Sequence, residues 1–272
     1  MSAEHLVPEA LRPVNAKRRR FATLRTIIAL MLREMSTRYG ASPGGYVWAI
    51  AEPLGAIVVL TVVFSMVAVA PPLGNSFPLF YATGYLPFTA YLTLSSSTAS
   101  LIQFSRPLLL YPTVTWVDAL FARLLLNTVA ELMVGFLLFT SIMLLSETRS
   151  TLQFAPILTA MAELVLFALG VGLVNCVISG LYPVWNQVWS IVTRPLFLAS
   201  GIFFTYESLP SAAQDILWWN PLMHISGIFR SGFYPTYEPQ YVSHAYVVGI
   251  GLGLTALGVL LLGRFHRDIL NA

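Results

Sequence analysis

Residues 193–237 read TRPLFLASGIFFTYESLPSAAQDILWWNPLMHISGIFRSGFYPTY, and the fold is decided here. With the residues just before it, the run is apolar from about Val188 to Tyr206. That is long enough for a bilayer, which takes roughly 20 residues. Beyond it, Ile216–Trp219 and Leu222–Phe229 are apolar too, but Asn220-Pro221 divides them and each half is too short to span. Pro210 and Pro221 suit the first turn of a helix, where a missing N–H costs little. Asn220 is a good N-cap. The expected structure is two short helices, Pro210–Trp219 and Pro221–Ser231, folded as a hairpin. Hydrocarbon does not tolerate unpaired backbone, so such a break is either covered by protein, lining a wet cavity, or laid on the membrane surface as an amphipathic hairpin. Half-inserted helices of this kind line transport pathways in other carriers.

Composition sets the class. Of the 272 residues, 57% are hydrophobic and 10% charged, against about 25% charged in a soluble domain. The expectation is an all-α polytopic membrane protein with one transmembrane domain over 22–272 and no separate soluble domain. The single cysteine, Cys176, lies in an apolar run and reads as packing. The basic run Lys17–Arg20 belongs to a polar cytoplasmic tail, 1–21. It is not followed by the unbroken apolar segment of a cleavable signal, because Arg25, Arg33 and Glu34 interrupt it.

In residues 22–39, Leu24, Ile27, Ile28, Met31, Leu32 and Met35 recur at helical spacing, with Arg25, Thr26, Arg33, Glu34 and Thr37 elsewhere. This predicts an N-terminal amphipathic helix in the membrane interface, docked on the bundle or lying in the interface plane. Six spans follow, at about Trp48–Val69, Phe80–Phe104, Ala119–Leu145, Phe154–Leu181, Val188–Tyr206 and Tyr246–Leu262. With a cytoplasmic N-terminus, the inside segments hold Arg12, Lys17, Arg18, Arg19, Arg20, Arg25, Arg33, Arg38, Arg106, Arg123, Arg194, Arg264 and Arg267. Arg149 and Arg230 fall outside. This asymmetry supports six spans with both termini cytoplasmic. The net charge of +3 is then an orientation signal and not a nucleic-acid surface. In the last span Gly249, Gly251, Gly253 and Gly258, including one G-x-x-x-G spacing, would allow close helix approach.

Absent chemistry narrows the function. The one lysine, Lys17, lies in the tail, so the chain carries no G-x-x-x-x-G-K-[ST] phosphate loop. There is no G-x-S-x-G, C-x-x-C or H-E-x-x-H, and no metal site is expected. Asp215, His224 and Ser226 are a triad in name only. Glu52, Asp118, Glu131 and Glu163 lie in or beside spans. Glu131 and Glu163 fall near the midplane, as relay acids or as acids bonded between helices, with no basic residue expected at their depth. Aromatics gather near span ends as an interfacial belt. Trp48, Tyr206, Trp218 and Trp219, with His224, are the candidates for a path that takes sugar rings.

Several runs taken in order carry a resemblance. Arg33 and Arg38 on the amphipathic helix precede Gly45-Tyr46-Val47-Trp48-Ala49-Ile50 and Glu52-Pro53. Then come Gly84-Tyr85-Leu86-Pro87-Phe88, the Arg106–Asp118 connector, Ala122-Arg123, Arg194-Pro195-Leu196, and Trp219-Asn220-Pro221-Leu222 with His224. In this order the chain resembles the permease subunits of polysaccharide ABC exporters (type-2 ABC permeases), the capsular, KpsM-type branch in particular. The likeness covers nearly everything after residue 22. It implies a homodimer in the bacterial inner membrane, with two cytoplasmic ATPase subunits that hold ATP and Mg. The permease would bind no cofactor and would not itself be an enzyme. Lipid-linked polysaccharide would pass between two permeases and on to a periplasmic co-polymerase and an outer-membrane channel.

By the same resemblance, 106–118 would be the coupling segment, with Arg106, Tyr111 and Asp118 the residues that meet the ATPase. Arg33 and Arg38 would hold lipid phosphate or anchor the inner surface. The 210–231 hairpin would be the periplasmic gate. Other cargoes of the same superfamily, O-antigen or teichoic acid among them, stay open at this point. So does a proton-coupled carrier working through Glu131 and Glu163.

Overall fold

The computed structural model describes residues 22–39, 44–109, 114–146 and 152–271. The tail 1–21 and Tyr111 lie outside these residues. Ten α-helices and no strand occur among the described residues: α1 (Ala22–Tyr39), α2 (Gly45–Ser65), α3 (Phe77–Ala99), α4 (Leu101–Leu109), α5 (Trp116–Leu145), α6 (Phe154–Leu181), α7 (Trp185–Ala199), α8 (Ser211–Leu217), α9 (Pro221–Ser231) and α10 (His244–Asn271). Among the described residues four segments are long and apolar enough to cross a membrane: Val47–Ser65, Trp116–Leu145, Phe154–Leu181 and His244–Asn271. α3 has the length, at 23 residues, but hydroxyl side chains crowd its second half. α7 has only 15 residues.

Local chemistry sets the helix starts. Ser76 caps α3, its hydroxyl accepting from the Leu79 N–H at 3.5 Å. Thr115 and Asp118 form a capping box at α5, with Asp118 N–H donating to Thr115 Oγ1 at 3.2 Å and Thr115 N–H to Asp118 Oδ2 at 3.1 Å. Asn220 caps α9 by accepting from Leu222 N–H at 3.1 Å, with Pro221 in the first turn. Of the two short helices, α9 has the predicted bounds, whereas α8 is shorter than predicted, at Ser211–Leu217, with Pro210 its N-cap and not in its first turn.

The fifth apolar run behaves differently from expectation. The helix does not continue to Tyr206; it stops at Ala199, and Gly201 takes φ +73°, a left-handed conformation that costs a residue without a Cβ little. Residues 202–205 are non-helical, and Ile202 and Thr205 are buried. Asn220 Nδ2 donates to the Ala199 carbonyl at 2.8 Å, which closes the end of α7 against the start of α9.

α3 and α6 form the centre of the bundle, with α2, α5, α9 and α10 packed round them. α6 and α10 lie side by side and run in the same direction. A Cβ on Gly251 would come within 2.9 Å of Leu166 Cγ, and one on Gly258 within 2.5 Å of Leu173 Cβ. Gly249 and Gly253, the G-x-x-x-G pair of the sequence, have nothing within 4 Å of such a Cβ. Close approach thus uses a seven-residue glycine spacing, two full turns, and not the four-residue one.

α1 docks beside α5 at one end of the bundle, called here the α1 end; α8 and α9 mark the hairpin end. Leu24, Ile28 and Leu32 of α1 are exposed, while Glu34 is 4% exposed and turned inward. The helix therefore docks through a polar residue that its pattern had placed on the outer face, and it leaves much of its apolar face outward.

Candidate functional site

From Tyr85 onward α3 is buried except along one line. Tyr85, Thr89, Leu92, Thr93, Ser96, Ala99 and the C-cap Ser100 stay open, while Ser95, Ser97 and Thr98 are buried. Steps of three and four residues put Tyr85, Thr89, Thr93, Ser96 and Ser100 on one helix face. Thr89, Ser96 and Ser100 donate their hydroxyl protons to the carbonyls of Leu86 (3.0 Å), Thr93 (3.2 Å) and Ser96 (3.0 Å). The donors are spent on the helix, and the oxygens remain acceptors.

Two cavities open along this line and share Thr93. The first has a volume of 750 Å³ and lies between α3 and α7 at the α1 end. α7 contributes Asn186, Trp189, Ser190 and Thr193 to it, again at helical steps. The second, of 430 Å³, continues toward the hairpin end, with Tyr85 and Thr89 on α3, Trp48 and Glu52 on α2 and Glu131 on α5. Trp48 and Glu131, singled out in the sequence for separate reasons, face the same cavity.

Arg123 lies at the foot of the first cavity. Its Nε donates to Glu34 Oε1 at 3.0 Å, its Nη1 to Ser100 Oγ at 3.4 Å, and its guanidinium sits 4.4 Å from the centre of the Phe104 ring. One side chain thus joins α1, the break between α3 and α4, α4 itself and α5. Arg106 is exposed on the last turn of α4. Asp118 is buried and engaged in its capping box, with Thr115 Oγ1–H also donating to Oδ2 at 2.7 Å. Arg33 is exposed on α1, and Arg38 falls in the last turn of the same helix.

The hairpin aromatics pack on one another. Tyr206 stacks on Tyr241 with ring centres 4.0 Å apart, and Trp218 meets Trp219, His224 and Tyr246 at 5.2, 5.4 and 5.0 Å. Trp218 Nε1–H donates to the Tyr241 carbonyl at 3.2 Å, and Tyr246 O–H to the Trp219 carbonyl at 2.7 Å. His224 is 0% exposed: its Nδ1 accepts from Ser243 N–H at 3.2 Å, so its Nε2–H donates to the Trp218 carbonyl, 2.7 Å away. Burial keeps its pKa below the ordinary histidine value. Of this group Trp219 stays open, at 67% exposure.

Two further polar links were not visible in the sequence. Glu163 has the basic partner it was expected to lack: His244, which begins α10 two residues earlier than the predicted span, lies with Nδ1 2.7 Å from Glu163 Oε1. Arg230, counted from the sequence among the charges on the outer side, is 1% exposed inside the bundle. Its Nη1 and Nη2 donate to the carbonyls of Phe204 (2.9 Å) and Ile202 (3.3 Å), and its guanidinium lies 4.3 Å from the Phe80 ring centre. It supplies the donors that the non-helical turn after α7 needs. A Cβ on Gly84 would come within 3.0 Å of Nη2, so a glycine on α3 makes room for it. Among the described residues no group of acidic, histidine or cysteine side chains could hold a metal ion.

The ABC-2 type transporter family model matches residues 25–234. The polysialic acid transport protein KpsM of Escherichia coli is 30% identical over 236 residues, 87% of this chain and 92% of KpsM. The capsule polysaccharide export inner-membrane proteins BexB of Haemophilus influenzae and CtrC of Neisseria meningitidis are each 26% identical over 245 residues, 90% of this chain and 92% of theirs. The chain belongs to the ABC-2 type transporter family.

Proposed function

We propose that the chain is the membrane permease of an ATP-driven exporter of capsular polysaccharide. The observation that carries this reading is the 30% identity to KpsM along almost its whole length. The open face of α3 supports it chemically. Uncharged oxygens spaced along a helix can accept hydrogen bonds from sugar hydroxyls one after another. Each such bond contributes only about 1 kcal/mol net, so a chain can slide from one to the next. The path residues on this reading are Thr89, Thr93 and Ser96, with Trp48 and Trp189 as ring platforms, and Trp219 at the hairpin end. The other hairpin aromatics and His224 hold the hairpin's shape.

The arrangement in the membrane is six spans, α2, α3, α5, α6, α7 and α10, with α1 at the cytoplasmic surface, both termini inside and the hairpin re-entrant at the periplasmic face. α3 crosses although its hydroxyls lower its hydropathy, because most of it is shielded by protein. The chain lacks a phosphate loop, so its energy comes from a separate ATPase; two such subunits on a permease homodimer, contacted through Arg106 and its neighbours, complete the pump. A periplasmic co-polymerase and an outer-membrane channel carry the polymer onward. On this reading Arg33 and Arg38, both on α1, meet anionic headgroups.

The test is deletion of the chain in its native cell, with complementation. Polymer accumulating inside while the surface loses it supports export. Unchanged surface polymer, or loss of synthesis itself, removes the reading. Copurification of an ATPase with the tagged chain in mild detergent tests the energy source.

A further inference from the structure

The path along α3 makes no use of a third cavity. It has a volume of 370 Å³ and lies between α3, α5, α6 and α9, toward the hairpin end. Phe139 on α5, Ile157 and Met161 on α6 and Phe229 and Phe233 from the α9 segment wall it, and Glu131 at one end is the one carboxylate in its lining. Its rim on α5 is open. Leu132 and Phe136 are 43% and 70% exposed, on a helix long and apolar enough to cross a membrane. Between them stands Gly135, where a Cβ would meet nothing within 4 Å. The row of large side chains therefore has a gap at backbone level. Behind the gap, Phe229 and Phe233 are 4% and 3% exposed and can be reached only from within the slot or through the protein.

The walls decide what fits. A sugar would leave its hydroxyls without partners here, at a cost of about 1–3 kcal/mol each. Water needs two to four polar partners, and the only polar side chains in the lining are Glu131 and Thr140, both on the α5 wall. An empty slot would forfeit the dispersion contacts of all its lining atoms. The fluid on the open side of α5 is hydrocarbon, and an unbranched chain is narrow enough to pass Gly135. Leu152 and Phe154, at the start of α6, place the slot in the leaflet on the hairpin side.

We propose that this slot binds one acyl chain of a bilayer phospholipid, which enters past Gly135 between Leu132 and Phe136 and ends against Phe229 and Phe233. The second hairpin helix then rests partly on lipid. The slot shares Leu86 and Glu131 with the second cavity along α3 but opens on the other side of α5, and the proposal does not rest on the transport reading.

The experiment reconstitutes the full chain in phosphatidylethanolamine–phosphatidylglycerol vesicles carrying a phospholipid with a diazirine on one acyl chain. After irradiation, adducts are mapped by mass spectrometry. The expected result is labelling of Phe229 and Phe233 as well as of the rim residues Leu132 and Phe136. Gly135→Leu, which fills the gap, should lose the Phe229 and Phe233 adducts and keep those on the rim. Gly55→Leu, on α2 where a Cβ also meets nothing within 4 Å, should keep both. Rim labelling alone in the wild-type chain overturns the proposal, whatever the variants do, because lipid then only wets the outside. Phe229 and Phe233 adducts that survive Gly135→Leu overturn it as well, since the probe has another route. So do cross-links between the rims of two copies in place of lipid adducts.

Discussion

Arg123 and Glu34, 89 positions apart in sequence, meet at 3.0 Å inside the protein and fasten the amphipathic helix to the bundle. Both side chains are buried, so removing one leaves the other's charge without its partner, at a cost of about 3–5 kcal/mol. Arg123→Met should lower the melting temperature of the detergent-solubilised protein and open α1 to protease. The exchanged pair Glu34→Arg with Arg123→Glu should recover part of the loss. Equal melting of Arg123→Met and the wild-type chain would show that the pair does not hold α1.

The hydroxyl line on α3 makes a prediction about export. Thr93→Val keeps the shape of the side chain and removes an acceptor shared by both polar cavities. A lost hydrogen bond of about 1 kcal/mol corresponds to a several-fold fall in rate. Surface polysaccharide should drop by that factor while protein level and ATPase copurification stay constant. Ser97→Ala, at a buried position on another face, should leave export near normal. The reverse ranking would move the path off this face.

Arg230 can be tested through the turn it holds. Its loss leaves the carbonyls of Ile202 and Phe204 unpaired, at roughly 1–3 kcal/mol each. Arg230→Met should destabilise the protein and raise hydrogen exchange over residues 200–206. Arg230→Lys should rescue little, because an ammonium lacks the fork that reaches two carbonyls at once. Full rescue by lysine would mean that charge, not geometry, is what the site needs.

His224 predicts a pH dependence. Burial holds its pKa below the ordinary 6.5; the Trp218 carbonyl opposes the shift and the charge of His244 adds to it. The unfolded chain therefore takes up its proton first as pH falls. The stability contribution is full above pH 6.5 and is lost as pH drops through that value toward the lower folded one. His224→Gln can donate to the Trp218 carbonyl and accept from Ser243 N–H without titrating. Thermal melts at about pH 8 and about pH 5.5 should differ less for this variant than for the wild-type chain. An equal difference in both would assign the acid sensitivity to other groups.

Much of the architecture was legible in the sequence because it depends on local chemistry. The α6 boundaries, Phe154–Leu181, follow from an apolar run with turn residues on either side. The start of α9 follows from Asn220 and Pro221. The end of α7 was not legible. Nothing in an apolar run says where the chain turns, and the turn is set by Gly201 with donors from Arg230, almost thirty residues on. The hydroxyl line was hidden for another reason. The run Thr93–Ser100 shows that α3 is polar there, but only packing decides that Ser95, Ser97 and Thr98 are buried and Thr93, Ser96 and Ser100 are not. Trp218 and His224 stood out by residue type, and their neighbours turn out to be one another. Glu163 and His244, 81 positions apart, could be paired only in three dimensions.

The turn at residues 201–205 also constrains how the protein is made. Its carbonyls are completed by a side chain from α9, so α7 emerges from synthesis before its own end can be closed. Until α9 arrives, those carbonyls need water or a chaperoning surface, since hydrocarbon offers them nothing. On the six-span arrangement proposed above, the segment from α7 to α9 is one unit of membrane insertion, and a chain cut between Gly201 and Pro221 lacks the Arg230 donors that the turn after α7 uses.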